Sequence, residues 1–452
     1  MTAGGKGSVH EAESRSFVDP ATGAAVRQVT SHPSIHHHPF YYLPAYDDAM
    51  TRLFFVSHRT GRPEVWCEVR ATGELQQLTD QPDLGEWSAH PSHDGRFVYY
   101  TAGRGAWRVA TDTGEAECLL DFGPLAGREA GMVGAAMGTT TLSHDDRYWA
   151  VPVKIGPKFR FIVIDTTTGT SETILEADTI GHPEFHPADN TLLRYAGSYK
   201  ERIWVVNRDG SGNRLVYQRK PLGKPNQFEW IVHETWNPGG MADGEWRMAD
   251  GKPAIPNLVP NQTPPTVDKA RDKDAQPGPE SSSSASSFSY SKQVGKVEDE
   301  GRGRERVRWL PRREIITANW PRGCIGINID TGAVRPVCSF NAWHPSINRQ
   351  GTLMCADTTF PDIGLQLFSP LDGVGVPTPL CFPEASCEGK HWNTDHCPYD
   401  DEDYRQGKWK VYAPQHTHPH PAFSPDGRFV VFTSDRGGFA QVYEAEVAVA
   451  AT

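Results

Sequence analysis

The sequence lacks several features that would place it in a class at once. No apolar run is long enough to cross a bilayer, and the first residues, MTAGGKGSVHEAESRSFVDP, carry no apolar core of a secretory leader, so neither a membrane span nor export is expected. Eight cysteines form no C-x-x-C pair and no zinc-ribbon spacing, which leaves reduced thiols in a cytoplasmic protein as the expectation. No Lys/Arg run appears on any predicted face, and 56 acidic residues against 45 basic ones give a net charge of -11, which argues against a nucleic-acid partner. A G-x-S-x-G elbow is absent, and strings such as GGKG lie outside any βαβ context, so serine-hydrolase and nucleotide-binding readings are weak.

Glycine and proline, in contrast, are plentiful, with 43 Gly and 36 Pro in 452 residues. Gly weakens and Pro breaks helix interiors, whereas short strands joined by turns use both, so the fold class expected is all-β. A 37% hydrophobic and 10% aromatic content supplies a large core.

One pattern recurs along the chain: a turn rich in Asp, Asn and Gly, an alternating apolar strand, a second turn, and an aromatic-rich strand. Copies begin at Asp47, Asp94, Asp145 and Asp189, with weaker ones near Asp243, near Asn348 and at Asp426. Once two insertions are set aside the period is roughly 45 to 55 residues, the length of a four-stranded propeller blade. Seven units predict a seven-bladed β-propeller as a single domain over residues 31–452, with six or eight blades as the alternatives. Residues 1–30 form an N-terminal extension whose GAAVRQVT segment is expected to supply a ring-closing strand. Residues 252–308, rich in Ser, Pro and charge, read as a disordered insertion within blade five. Residues 381–410 keep Trp and Tyr and read as an ordered insertion or lid.

The candidate chemistry lies in histidines at strand starts. In PQHTHPHPAFSPDG, His418 and His420 alternate along an extended segment and project to one side, with Gln415 just before them. Two imidazoles and an amide oxygen suit manganese, iron, nickel or zinc better than copper(I). A third imidazole is available from His344 in WHPSIN, because the inner strands of all blades converge on one channel. Such a ligand set is neutral, so a bound ion keeps its full charge for a substrate carboxylate. His233 in IVHETW is a candidate base, and Arg202 in KERIWVV could face it. Of His36, His37 and His38, alternation allows at most His36 and His38 to act together, as substrate-lining groups. His90, His182 and His186 read as turn or strand residues.

These strings resemble the oligogalacturonate lyases, seven-bladed propeller enzymes of pectin breakdown, over nearly the whole chain apart from the two insertions. HPSIHHHPFYYLPAYDD, LFFVSHRTGRPEVW, GHPEFHPADNTLL, ERIWVVNRDG, HETW and QHTHPHPAFSPDGRFVVFTSD carry the resemblance, QHTHPH most specifically. It implies Mn2+, or another divalent transition metal, held by His344, Gln415, His418 and His420. It also implies Arg202 and His233 as the catalytic pair, and an oligogalacturonide substrate cleaved by β-elimination to a 4,5-unsaturated uronate. Where the family tends to carry a C-H-E-G-x-W-like string, this chain has LRYAGSYKERIW, a departure that bears on substrate specificity. The blade repeats alone look like TolB-type propellers in general. A non-catalytic module that binds a protein or sugar, with residues 252–308 as a docking tail, is therefore the competing reading.

Overall fold

The computed structural model describes residues 5–123, 138–155, 158–225, 227–239, 313–371, 376–387 and 417–447. They form seven antiparallel sheets, each of four or five strands, in the order of a seven-bladed β-propeller. The innermost strand of each blade comes first in sequence: His36–His37, His90–Pro91, Thr141–Leu142, Gly181–His186, Trp230–Asn237, Ala342–Ile347 and Ala422–Phe423. The expected 252–308 insertion, most of the 381–410 segment, and Gln415 lie outside the described residues.

The turn pattern that revealed the repeat has a simple chemical cause. Ser92, Ser143 and Ser424 each donate to an Asp two residues on, at 2.8, 2.6 and 2.6 Å. The same Asp oxygens accept the backbone N–H of Arg96, Arg147 and Arg428, and the Ser hydroxyls accept those of Phe97, Tyr148 and Phe429. The turn also needs one left-handed residue, which is Gly95 (φ 71°) or Gly427 (φ 72°) in two copies and Asp146 (φ 59°) in the third. Asn and Asp tolerate this region better than other non-glycine residues, so the third copy keeps the turn without glycine.

Apolar strand faces are buried between neighbouring sheets rather than in one central core. Tyr99 of blade two packs with Trp149, Val151 and Ile164 of blade three, and Ile203 and Val205 of blade four pack with Trp236, Ile315 and Ile327 of blade five. Cys67, Cys324, Cys338, Cys355 and Cys381 are free thiols buried in these layers.

The N-terminal residues are shared by two blades. Val9–His10 pairs with the outer strand of blade one, Leu75–Gln77. Ala25–Gln28 pairs with Gln441–Glu446 of blade seven, so the last blade joins strands from both ends of the chain and the ring is closed by hydrogen bonds. Arg27 fastens this closure with its Nε 2.7 Å from Glu444 and a terminal nitrogen 2.8 Å from Glu68 of blade one. Among the described residues no helix is long and apolar enough to cross a membrane.

Candidate functional site

Regular β pairing would alternate side chains evenly, but the innermost strands of blades four, five and six break register where histidines sit. The ladder slips between Gly181 and Glu184, between Val232 and Glu234, and between Ala342 and Pro345. The slips leave His182, His233 and His344 outside the pairing, and bulges of this kind re-aim side chains at strand ends. His182, His233 and His420 also take positive φ, at 46°, 56° and 49°. Non-glycine residues in that region are strained, and such strain concentrates where a side chain has to be aimed.

These distortions bring the imidazoles together. The ligating atoms of His344, His418 and His420 lie within 4.8 Å of one another, and all three residues are buried. The ring of His344 is centred 4.0 Å from that of His420 and 5.5 Å from that of His418. His233 stands on the other side, its ring 4.1 Å from His344, and His182 follows at 6.2 Å from His233. Phe40, from the segment after the His36–His38 run, packs against His182, His233, His344 and His420 with ring centres 4.8 to 6.4 Å apart.

Hydrogen bonds set the tautomers. The Nδ1 of His344 lies 2.7 Å from a carboxylate oxygen of Asp357, whose other oxygen accepts the His344 backbone N–H at 2.7 Å. A carboxylate fixes the proton on Nδ1 and leaves Nε2 as the donor to a cation, the usual outer support of a ligating histidine. Asp357 is fully buried, and no part of CADTT marked it in the sequence, where it reads as one residue of a core strand. The Nδ1 of His233 faces the carbonyl of Trp343 at 3.0 Å, so its Nε2 carries the lone pair. His38 reaches the carbonyl of Pro419, between His418 and His420, at 3.2 Å and thereby supports the ligand segment. His36 instead lies 3.1 Å from Ser34, so His36 and His38 serve different partners.

The wall formed by blades four and five carries charge. Arg202 donates through Nε to Glu234 at 2.7 Å and through a terminal nitrogen to Nδ1 of His182 at 2.9 Å. Arg202 and His233 are thus neighbours of the same His182, a residue that reads as structural in the sequence. Arg194 donates to Glu184 at 2.6 Å and to the carbonyl of His182 at 3.0 Å. Burial raises the Glu234 carboxyl, but Arg202 and His182 outweigh it and hold the group well below its usual range. Burial, followed by His344, His182 and Arg202, pushes His233 well below the ordinary histidine value, so its imidazole is neutral near pH 7.

The donor set fits a divalent transition ion. Three imidazoles converge, one of them held by a carboxylate in the tautomer that ligation requires, and soft sulfur ligands are absent from the cluster.

Comparison with known proteins extends the resemblance beyond short strings. An oligogalacturonate lyase of Dickeya dadantii (strain 3937) is 22% identical over 459 residues, covering 95% of this chain and 95% of that one. An oligogalacturonide lyase of Pectobacterium atrosepticum is 32% identical over 92 residues, 19% of this chain and 22% of that one. Among solved structures, an oligogalacturonate lyase in complex with manganese superposes with a TM-score of 0.65 at 19% identity, over 98% of this chain and 99% of that one. An oligogalacturonate lyase from Vibrio parahaemolyticus gives a TM-score of 0.64 at 18% identity, over 98% of this chain and 99% of that one. No family model matches the chain.

Proposed function

We propose that this chain is an oligogalacturonate lyase, which cleaves short oligogalacturonides by β-elimination and leaves a 4,5-unsaturated uronate. The observation that carries the reading is the meeting of His344, His418 and His420 beside a neutral His233 and the charged Arg202. Similarity to the Dickeya dadantii lyase over 95% of the chain supports it.

His344, His418 and His420 would hold the cation, manganese being the ion named for the similar lyase complex, with Gln415 as the fourth ligand inferred from QHTHPH. When bound, such an ion neutralises charge that develops on a uronate carboxylate, which acidifies the neighbouring C5 hydrogen. His233 takes that proton on Nε2, since its Nδ1 proton is committed to the carbonyl of Trp343. The electron pair of the C5–H bond forms the C4–C5 double bond, and the C4–O4 bond breaks as the departing sugar oxygen takes up a proton from water. Arg202 keeps its proton throughout, because a guanidinium with a carboxylate partner is not a base. Held in place by Glu234, it favours the neutral form of His233. Buried free thiols fit a reducing compartment, and we place the enzyme in the cytoplasm.

The decisive experiment is ultraviolet absorbance of the unsaturated product after addition of oligogalacturonides, with and without added Mn2+. Growth of that band in a metal-dependent manner is expected. A flat trace from folded, metal-loaded protein removes the lyase reading and leaves the binding module.

A further inference from the structure

A second cluster of cation ligands lies beside the first. His37 belongs to the innermost strand of blade one, His58 follows the second strand of that blade, and Glu86 lies in the connection to blade two. Their ligating atoms lie within 4.8 Å of one another. The side chain of His37 is fully buried, that of Glu86 is 9% exposed and that of His58 is 20% exposed.

The orientation of the His37 ring is the telling feature. Its Nδ1 lies 3.0 Å from the carbonyl of His38, and its Nε2 lies 3.1 Å from Oε1 of Glu86. Nε2 of His58 approaches the same Glu86 oxygen. A carbonyl accepts only, so it takes the Nδ1 proton of His37 and leaves Nε2 as the atom turned toward Glu86. The atom that faces the Glu86 oxygen is therefore the one through which a histidine held this way ligates a cation. Two imidazoles and one carboxylate with open positions form a set that divalent transition ions take readily, and a backbone carbonyl on the far nitrogen of His37 is the outer contact that ligating histidines ordinarily make.

We propose that His37, His58 and Glu86 form a second divalent-cation site, separate from His344, His418 and His420. Trp87 stands between the two, its ring 4.4 Å from His37 and 5.7 Å from His420. The sites share no ligand, so their occupancies are separable by mutation.

The test counts metal. Full-length protein stripped with chelator and dialysed against Mn2+ should carry two ions per chain by atomic emission, and one in His58→Ala, Glu86→Gln or His418→Ala. Combining His58→Ala with His418→Ala should leave none. His58 is partly exposed at a strand end, so its truncation leaves the blades intact, with circular dichroism as the check and His58→Gln as a second variant. A single ion in the wild type that persists in His58→Ala and Glu86→Gln shows that the cluster is a hydrogen-bonded pair of imidazoles on a carboxylate, and the proposal falls. An ion lost in His58→Ala but unaffected by His418→Ala upholds this site and removes the metal role given above to His418.

Discussion

The two walls of the central channel use opposite means to place polar groups in a buried site. On the side of blades six and seven, His344, His418 and His420 are imidazole donors, neutral when they ligate a cation, and the carboxylate of Asp357 lies behind His344. On the side of blades four and five, Arg194 and Arg202 are each paired with a carboxylate, Glu184 and Glu234. A neutral wall leaves the charge of a bound ion available to substrate, whereas the ionic wall neutralises itself and fixes geometry. Buried ion pairs are weak evidence for stability, since desolvation offsets much of their attraction, but losing one partner strands the other. The arrangement therefore teaches where a change should abolish chemistry and where it should disturb structure or pH response.

The sharpest contrast comes from removing a donor from the neutral wall. His418→Ala and His420→Ala should each lower kcat by more than tenfold, a loss of more than roughly 1.4 kcal/mol of transition-state stabilisation, with the blades still folded. Steady-state assays that return more than about a tenth of kcat in both variants would count against a metal-assisted reaction. His233→Ala removes the group between the walls and should slow turnover by roughly 10² to 10⁴ while metal content stays unchanged. Loss of the ion in that variant would make His233 a ligand and would require another base.

Asp357→Asn tests whether the carboxylate behind the neutral wall matters. The amide can still accept the His344 backbone N–H but no longer holds the imidazole with a full charge, so Mn2+ affinity should fall roughly 10- to 100-fold. Equilibrium dialysis showing an unchanged affinity would reduce Asp357 to a packing residue.

The sequence showed the blades well because each copy repeats its turn chemistry locally, as in Ser92–Asp94–Gly95 and Ser424–Asp426–Gly427. It also singled out His418 and His420, which are two residues apart, and His344, which precedes the equivalent turn, and the three imidazoles do converge. Asp357, His182 and Glu86 were not legible, since each is brought to its partner by the fold, Asp357 by pairing with the neighbouring strand of its own blade, rather than by spacing along the chain. His37 meets Glu86 across 49 residues, and Arg202 meets Glu234 across 32. Alternation along an extended strand, the rule that favoured His36 and His38, fails in this region because the segment beyond His37 leaves the sheet and enters the channel.

The smallest expected effect lies on the ionic wall and concerns pH rather than rate. Burial pushes the Glu184 carboxyl up to about 7 against the pull of Arg194, whereas Glu234 is held below its usual range. A carboxyl whose folded value exceeds its unfolded value of 4.5 binds protons more tightly when folded. Its contribution to stability is therefore complete below pH 4.5 and is lost as pH rises through about 7. Glu234 behaves in the opposite sense, contributing above the ordinary carboxyl range and losing that contribution only in strong acid. Glu184→Gln should preserve an oxygen for Arg194 and abolish the titration, so the fall in Tm between pH 4.5 and 7 should be shallower in the variant than in the wild type. Parallel Tm profiles for the two proteins would mean that Arg194 keeps Glu184 ionised throughout, and the two carboxylates of this wall would then be equivalent.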